Sequence, residues 1–530
     1  MCSTTNPGGA GKWRAEYAEA LRNAHVAILP DNDQAGREHA QQVAASLYGK
    51  AASVRIVELP GLPAKGDASD WLAAGGTREE LERLPAEARL WEPPPDSATP
   101  AGAGVKARHS GRGPSQATRL AALAEAAELF HTLGSDPEPY ATIPVNGHRE
   151  TWRLRSRGFR RWLSREYALA EGATPSAQAE EEALRVLEGR ALHDGAALAV
   201  HTRIAERDGA IYIDLCNDRW QAVEIDTHGW RVVAEPPVRF RRARGMLPLP
   251  EPARGGSVDE LRAFVNVGSD ADWRLVIAWL VAALRPSGPY PVLCLHGEQG
   301  AAKSFTARAL RALVDPNTAS LRAEPREERD LAITATNSWL VALDNLSHLR
   351  SWLSDALCRL ATGGGFATRE LYSDDEERIF EGQRPVLLTG IDEVVSRGDL
   401  LDRCIILTLP PIPEGLRRAE RELLAKFDAA RPQILGGLLD AVAGALKCLP
   451  DVRLPRLPRM ADFATWASAA EPALGWWPGG FLDAYAGNRE EANELALEAD
   501  PLVPPLQELA AGLAPGAAWE GIARELLAAL

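Results

Sequence analysis

Residues 291–314 have the sequence PVLCLHGEQGAAKSFTARALRALV, which predicts a strand, a loop and a helix in that order. The apolar residues 291–295 are typical of a buried parallel strand. The loop 297–304 contains two glycines, which adopt backbone conformations that other residues resist. Four apolar residues then recur at helical spacing: Phe305, Ala309, Leu310 and Leu313. This order predicts backbone N–H groups converging where the helix begins.

Such a convergence is a phosphate cradle, because loop amides and the positive end of the helix dipole both attract anions. The loop matches the P-loop pattern, in which Lys303 reaches the β- and γ-phosphates of ATP and the Ser304 hydroxyl ligates Mg²⁺. Ala302 departs from the pattern, which has glycine there, and is tolerable if that residue is already helical. The alternative is a chance Gly/Lys-rich turn, which the flanking strand and helix argue against. The predicted ATP contacts are Gly297, Glu298, Gln299, Gly300, Ala301, Ala302, Lys303, Ser304 and Phe305.

The whole-chain numbers predict a multidomain globular protein. At 530 residues, about three domains are expected, and 45% hydrophobic with 25% charged residues is ordinary for such proteins. No signal peptide or apolar run of transmembrane length is apparent, and the six cysteines lack metal-ligand spacing, so we expect a cytoplasmic protein with no membrane partner. A net charge of −14 excludes a generally basic nucleic-acid coat, so DNA contact requires local basic patches.

Residues 1–90 predict a first α/β unit, with strands at 26–29 and 53–59 around a helix at 34–48. Asp31 and Asp33 follow the first strand at a spacing that lets both carboxylates share one Mg²⁺. The alternative is an Asp-rich turn that caps the following helix.

This unit resembles the C-terminal half of a Toprim domain, the metal-binding module of primases and topoisomerases. The resemblance depends on the DND sequence at 31–33, on Gly36, and on the pair Asp67 and Asp70. A complete Toprim domain begins with a strand that carries a catalytic glutamate, and here Met1 falls after that point. We therefore expect a partial, catalytically inactive Toprim-like unit in a chain that is truncated or started at an internal methionine.

A flexible linker is predicted for residues 91–116 and an α+β middle domain for 117–289. The middle domain should contain a helix at 120–133, a hairpin at 140–155 that turns at Asn146-Gly147, and a basic helix at 157–167. Strands are predicted at 197–206, 210–215, 220–225 and 230–233.

The middle domain has a local arginine cluster around the hairpin and the basic helix. Arg157, Arg160 and Arg161 are the predicted nucleic-acid contacts, with Trp152 and Trp162 available to stack on bases. Alternatively, the arginines pair with acids of a later helix, at Glu180, Glu181 and Glu182. The full cluster is Arg149, Arg153, Arg155, Arg157, Arg160, Arg161 and Arg165.

Residues 290–413 predict the ATPase unit. The apolar strand 339–345 ends in Asp344, the Walker B position, where a carboxylate holds Mg²⁺ through water. Motor ATPases usually have a second acid next, and this chain has Asn345. Either Glu298 or Asp355 replaces that acid, or hydrolysis is slow. The alternative is a strand that simply ends at a capping aspartate.

The rest of the unit predicts a helix at 351–361, three glycines at 363–365 before a short hairpin, and strands at 383–391 and 404–409. In this order of elements the unit resembles superfamily 3 and AAA+ helicase ATPases of phage and mobile-element primase-helicases. The resemblance implies that Thr389 is the sensor that orients water or the γ-phosphate. It implies that Arg403, with Arg397 as the alternative, is an arginine finger acting on a neighbouring subunit, and that Arg369 grips single-stranded DNA in a central pore. The alternative for Arg403 is a surface salt bridge with Asp399 or Asp402.

Residues 414–530 predict a helical lid and C-terminal region. Together these features predict a multidomain α/β protein that uses ATP and Mg²⁺ as a DNA helicase or translocase of a phage-like or mobile-element replication system. We expect it to act on single-stranded DNA as a homo-oligomeric ring. Two alternatives remain: a nucleotide-gated, DNA-binding replication-initiation adaptor that does not unwind, and a Toprim-type primase or nuclease.

Overall fold

The chain divides into two units, Met1–Arg112 and Gly113–Leu530. This computed structural model describes residues 13, 17–63, 66–92, 114–364, 366–369, 377–380, 382–390, 398–499, 502–513 and 518–529. Most of the predicted linker 91–116 and the alternative finger Arg397 lie outside these residues. Both units mix helices with strands, in agreement with the predicted α/β class.

The first unit is built on two short parallel strands joined by a helix. Residues Val43, Leu47 and Val54 form its small core. Parallel strands need a crossover connection, and here the connection is helix α2. Its elements are α1 (Tyr17–Ala20), β1 (His25–Ile28), α2 (Gln34–Leu47), β2 (Ser53–Ile56), α3 (Ala68–Ala73) and α4 (Arg78–Glu87), with His25 opposite Ser53.

The second unit begins with a lobe of three helices against a four-stranded sheet of order β5-β4-β3-β6. The Asn146-Gly147 turn is confirmed, since both residues have positive φ, 45° and 84°. The helix predicted for 120–133 is wrong in its second half, because Phe130 there stacks on Tyr140 of the neighbouring strand. The elements are α5 (Gln116–Leu123), β3 (Glu128–His131), β4 (Pro139–Val145), β5 (His148–Arg153), α6 (Arg157–Glu171), α7 (Ala177–His193) and β6 (Ala196–Ala197).

A four-stranded antiparallel meander of order β11-β10-β9-β8 follows, beside a parallel pair of β12 and β7. The strand predicted for 197–206 is divided into three, because Arg203 has φ 66° and turns its side chain into the protein. The elements are β7 (Val200–His201), β8 (Ile204–Arg207), β9 (Ala210–Asp214), β10 (Ala222–Asp226), β11 (Gly229–Val233) and β12 (Arg239–Phe240).

The centre of the second unit is a parallel sheet of order β14-β17-β13-β18. Its strands are continuous apolar runs because helices cover both faces. Leu293 and Leu295 face α8 and α9, whereas Val292 and Cys294 face α10 and α11. The elements are α8 (Asp270–Ala283), β13 (Val292–His296), α9 (Lys303–Val314), α10 (Glu328–Asn337), β14 (Val341–Leu346), α11 (Ser351–Thr362), β15 (Phe366–Arg369), β16 (Glu377–Phe380), β17 (Val386–Gly390), α12 (Gly398–Leu401) and β18 (Cys404–Thr408).

Buried helix α8 packs among the C-terminal helices, and tryptophans satisfy the backbone carbonyls at its end. The indole Nε1 of Trp339 donates to Ala283 O at 2.8 Å, and that of Trp466 donates to Val281 O at 3.2 Å. These bonds satisfy carbonyls that have no partner within the helix. The remaining helices are α13 (Glu420–Cys448), α14 (Ala461–Ala470), α15 (Gly480–Ala499), α16 (Val503–Ala511) and α17 (Ala523–Ala529).

Among the described residues, one helical stretch, Glu420–Asp451, is long and apolar enough to cross a membrane by length and composition. Of its most apolar window, 56% is buried inside the protein. Residues Ile434, Leu438 and Val442 of this stretch belong to the main core. The stretch therefore has the burial of a core helix.

Candidate functional site

The phosphate-loop residues lie where the sequence places them, between β13 and α9. Gly297 has φ 141°, and a Cβ at that position would lie 2.6 Å from the Leu409 carbonyl oxygen. Gly300 has φ 93°, in the left-handed region that favours glycine. Both glycines are therefore required by the path of the backbone. Phe305 is buried in the core on α9, which leaves its backbone as the part available to a ligand.

The backbone conformation of Ala302 differs from the helical one under which alanine is tolerable at this position. Ala302 has φ 59° and ψ 29°, which is left-handed, and α9 begins one residue later. A side-chain Cβ in this conformation is placed too close to the backbone, so alanine is a strained replacement for glycine here. The loop closes despite this substitution.

Lys303 points its ammonium group back into the loop. Its Nζ donates to Gly297 O at 2.6 Å and to Glu298 O at 2.9 Å. Burial lowers the pKa of the Lys303 ammonium below its usual value, and the Asp344 carboxylate offsets part of this effect. The positive charge therefore lies at the centre of the loop, where a phosphate oxygen could replace a carbonyl as its partner.

The ends of strands β14 and β17 and the start of α9 bring polar side chains together. Ser304 Oγ donates to Asp344 Oδ1 at 2.9 Å, and Thr389 Oγ1 donates to the same oxygen at 2.5 Å. The backbone N–H of Asn345 donates to Thr389 Oγ1 at 3.0 Å. A serine hydroxyl beside a carboxylate is a hard-oxygen donor set that suits Mg²⁺ when the cation keeps several waters. The two predicted magnesium ligands, Ser304 and Asp344, therefore fit such an ion.

The position after Asp344 is unusual in its backbone. Asn345 has φ 57°, a conformation that asparagine tolerates better than most residues, and it is exposed. The two acids predicted as substitutes, Glu298 in the phosphate loop and Asp355 on α11, are both exposed as well. The structure thus brings Lys303, Ser304, Asp344, Asn345 and Thr389 to one edge of the sheet.

Arg403 lies at the opposite end of this sheet. Its carbonyl accepts from the N–H of Val292, at the start of β13, whereas the phosphate loop follows the end of that strand. Five residues of strand separate the two ends by about 16 Å. Arg403 Nη1 pairs with Asp399 Oδ1 at 2.5 Å, and its side chain is 17% exposed. The salt bridge with Asp399 that the alternative interpretation predicts is therefore formed. Arg403 lies too far from the phosphate loop of its own chain to contact a nucleotide there.

A second arginine, which the sequence did not single out, lies at the phosphate loop itself. A Cβ on Gly300 would be 3.7 Å from Arg417 Nη2, and Arg417 is exposed. The segment that leads to it is fixed to the loop, since Asn266 Nδ2 donates both to Ala301 O at 3.1 Å and to Pro410 O at 2.6 Å. The sequence signal was an arginine pair, Arg417 and Arg418, just after the proline-rich exit from the last strand.

Most of the basic cluster in the middle lobe is paired with acids. Arg160 pairs with Glu180 and Glu181 at 3.3 and 3.2 Å, and Arg155 pairs with Glu181 and Glu188 at 2.9 and 2.6 Å. The same pairs lower the pKa of Glu181. Arg160 therefore forms the ion pairs that the alternative interpretation predicts, with acids of the later helix α7.

Arg157 and Arg161 are exposed on α6. Trp162, predicted to stack on bases, is in the core at 6% exposure. Trp152 is half-buried, and its ring covers Gly158 and lies 5.7 Å from that of Trp220. Of the fourth predicted DNA contact, Arg369, the structure describes only that it ends strand β15 of the expected hairpin.

In the first unit, the predicted Toprim carboxylates cap helices. Asp33 accepts from the N–H of Gly36 at 2.7 Å and begins α2, and Asp67 forms a capping box with Asp70 at the start of α3. Asp31 is exposed beside them. Among the described residues, no group of three His, Cys, Asp or Glu side chains is placed to hold a metal ion. The helix-capping alternative is therefore what the geometry shows for Asp33.

Comparison with known proteins identifies one family whose model matches part of the chain. Residues 258–493 match the model of the AICE_RepA family, described as actinomycete integrative conjugative element replication protein. The match spans the parallel sheet with all the site residues from Gly297 to Arg417 and covers less than half of the chain. No curated protein matches the chain.

Solved structures resemble the chain weakly. One apo structure of the C-terminal region of NrS-1 has 11% identity and a TM-score of 0.36, with 67% of this chain and 73% of that chain covered. A second apo structure of the same region has 12% identity and a TM-score of 0.35, with 68% and 75% covered. A full-length MCM homolog from Methanopyrus kandleri has 12% identity and a TM-score of 0.29, with 70% and 76% covered.

Proposed function

We propose that this chain is an ATP-dependent DNA translocase or helicase that serves the replication of an integrative conjugative element or a similar mobile element. The observation that supports it best is the convergence of Lys303, Ser304, Asp344 and Thr389 at one edge of a parallel sheet. The family match to a mobile-element replication protein covers this whole site, which supports the biological assignment.

Triphosphate binding follows from the chemistry of the loop. The amides between Gly297 and Lys303 and the start of α9 attract phosphate oxygens. Lys303 exchanges a carbonyl partner for a phosphate oxygen, and Arg417 adds a second positive charge from the same chain. Ser304 and Asp344 hold Mg²⁺, which supplies charge neutralisation at the β- and γ-phosphates.

Motor action requires more than one copy. If Arg403 acts as the finger, it serves the nucleotide of a neighbouring copy, because it is at the far end of the sheet from its own phosphate loop. The proposal therefore includes a homo-oligomeric ring with sites between subunits. Single-stranded DNA is then contacted by Arg369 in the ring centre and by the exposed Arg157 and Arg161. Arg160 is a weaker candidate, since its guanidinium is already paired.

The binding step is tested by titrating the full chain with Mg-ATP in a calorimeter. Lys303→Ala should weaken ATP affinity by about 10²-fold, because truncating one partner of a charge-assisted contact costs about 2–5 kcal/mol. Lys426→Ala is the matched control, since Lys426 is an exposed lysine that pairs with Glu422 on α13. Wild-type protein that fails to bind Mg-ATP, or Lys303→Ala that binds as well as wild type, would contradict the proposal.

A second function is favoured by Asn345. A chain that lacks the second acid beside Asp344 is also consistent with a nucleotide-gated, DNA-binding adaptor of replication initiation that does not unwind. ATP turnover in the presence and absence of single-stranded DNA discriminates between the two. Turnover stimulated by DNA and abolished in Lys303→Ala supports the motor, whereas ATP binding without turnover supports the adaptor.

A further inference from the structure

The site leaves one chemical role unfilled. Hydrolysis of ATP needs a group that takes a proton from the attacking water, and a carboxylate does this well. The amide of Asn345 is not basic, and Asp344 already accepts hydrogen bonds from Ser304 and Thr389. If the site hydrolyses ATP, the base must come from another element at the same edge of the sheet.

The segment beside β14 brings a glutamate to that edge. Arg322 forms a parallel bridge with Leu343, its N–H donates to Ala342 O at 3.0 Å, and its carbonyl accepts from Asp344 N at 2.8 Å. Glu324 follows Arg322 by two residues, just as Asn345 follows Leu343 by two, so both chain segments lead toward the same end of the sheet. Neighbouring parallel strands are about 4.8 Å apart where they pair, which brings the segment of Glu324 close to that of Asp344.

The side chain of Glu324 is held next to the loop that follows Asp344. Its Oε1 lies 3.3 Å from Nε of Arg350, the residue that precedes α11, and the Glu324 side chain is 25% exposed. Among the described residues, this buried Oε1 is ion-paired with Arg350 and accepts no hydrogen bond of good geometry. The ion pair balances its charge, and the oxygen keeps the capacity to accept a hydrogen bond from a water or a ligand.

We propose that Glu324 is the general base of this ATPase and replaces the acid that is missing at position 345. In the reaction the water oxygen forms a bond to the γ-phosphorus and its proton passes to the Glu324 carboxylate. The bond between the γ-phosphorus and the bridging oxygen breaks, and its electron pair leaves on ADP. Arg350 holds the carboxylate beside the β14 loop before the nucleotide arrives. This inference rests on the proposed ATPase function.

Two other acids compete with Glu324 for this role. Glu298 is in the phosphate loop, and its carbonyl is a partner of Lys303, while its side chain is exposed. Asp355 is exposed on α11, five residues after Arg350, which precedes that helix. Glu324 differs from both in that a backbone bridge at Arg322, two residues earlier, fixes its segment beside the Asp344 strand.

The test measures Mg-ATP affinity and steady-state turnover of the full chain, with single-stranded DNA present. Glu324→Gln keeps the shape of the side chain and removes its basicity. We expect turnover to fall by about 10²-fold or more, with ATP affinity within about threefold of wild type. Glu327→Gln should leave both unchanged, because Glu327 is an exposed neighbour that precedes α10 and forms no side-chain capping bond. The double variant with Glu324→Gln and Asn345→Asp should turn over ATP at least tenfold faster than Glu324→Gln alone.

The outcomes separate this inference from the function on which it rests. If wild type binds and hydrolyses ATP while Glu324→Gln retains more than half of the turnover, Glu324 is not the base. Equal loss of affinity and turnover also overturns the assignment, because it shows a structural role. If Glu324→Gln does not fold, Glu324→Asp decides, since wild-type turnover in that variant overturns the proposal. A wild-type chain that binds ATP without turnover overturns the Glu324 role alone, and one that does not bind overturns both.

Discussion

Ala302 is the residue whose conformation departs furthest from what its side chain prefers within the phosphate loop. Replacing it with glycine removes the steric cost of the left-handed backbone, and the greater freedom of glycine in the unfolded chain offsets part of that gain. We expect Ala302→Gly to raise the free energy of unfolding by about 0.5–1 kcal/mol. Thermal unfolding in the absence of nucleotide measures this.

The control is Ala301→Gly, one residue earlier. Ala301 is fully buried and has no positive φ, so glycine there loses packing and gains no relief. Ala301→Gly should therefore destabilise the protein. If both substitutions lower the unfolding temperature, strain at residue 302 is not the reason for the expected gain.

Single residues also show what the sequence could not provide. The residue types at 303, 304 and 344 were sufficient to predict a shared site, because parallel strands place their carboxyl ends on one edge, and Thr389 was added only by the family resemblance. Glu324 and Arg417 were missed, since neither belongs to a periodic segment and each reaches the site through a connection. The conformation of Ala302 and the partners of Arg160 depend on dihedral angles and tertiary contacts that no local pattern encodes.

At the scale of elements, α13 touches its neighbour backbone to backbone. A Cβ on Gly436 would lie 1.8 Å from the carbonyl oxygen of Ala253, with no flexible side chain to move away. We expect Gly436→Ala to lower the free energy of unfolding by about 1–3 kcal/mol. Chemical denaturation of the full chain measures it.

Gly487 on α15 is the matched glycine, because a Cβ there meets nothing within 4 Å. Gly487→Ala should leave stability unchanged or raise it by about 0.5–1 kcal/mol, as alanine is the better helix former. A neutral Gly436→Ala would show that the segment before α13 can move away, contrary to the contact described.

The connection of α12 to β18 predicts a pH dependence. Hydrogen bonding from Arg403 lowers the pKa of Asp399 below its usual 3.8, and Arg459 adds to the effect. A carboxyl group with a lowered pKa stabilises the fold above its unfolded value, and that contribution is lost as the pH falls through the folded value. The unfolding temperatures of wild type and Asp399→Asn should therefore differ at neutral pH, and the difference should shrink as the pH falls below the usual 3.8 and through the lowered pKa of Asp399. A constant difference across this range would contradict the pairing.

Strand prediction succeeded for strands whose two faces are both covered by apolar side chains. The four strands of the central sheet are continuous apolar runs, and all four were located because both faces are buried. The helix expected at 120–133 failed because the chain changes from α5 to β3 within it, with apolar residues on both sides of the change. The strand at 197–206 failed at Arg203, whose guanidinium pairs with the buried Asp315 at 3.0 Å, far along the chain.

At the scale of the whole molecule, the proposed role of Arg403 as a finger predicts that activity depends on neighbouring copies, because Arg403 is separated from its own phosphate loop. Lys303→Ala and Arg403→Ala should each be inactive alone. Mixed, they should recover turnover, because a Lys303→Ala copy can supply Arg403 to the intact loop of its neighbour. The measurement is ATP turnover against the mixing ratio, with single-stranded DNA present.

Two controls accompany the mixture. Arg403→Ala should bind Mg-ATP as wild type does, and Arg459→Ala tests whether loss of the Asp399 ion pairs alone accounts for the effect. No recovery at any ratio would argue against a finger acting between copies and would leave Arg403 as a partner of Asp399.

Asn266 joins the phosphate loop and the exit from β18 through one amide group that bonds to both. A ligand that draws the loop inward must pull this exit with it, and Arg308 on α9 is also ion-paired to Glu420 at the start of α13. Under the proposed function, a change at the bound phosphates would therefore reach α13, the longest of the described helices, through only two side-chain contacts. Such a linkage would let nucleotide binding be passed on as movement of that helix.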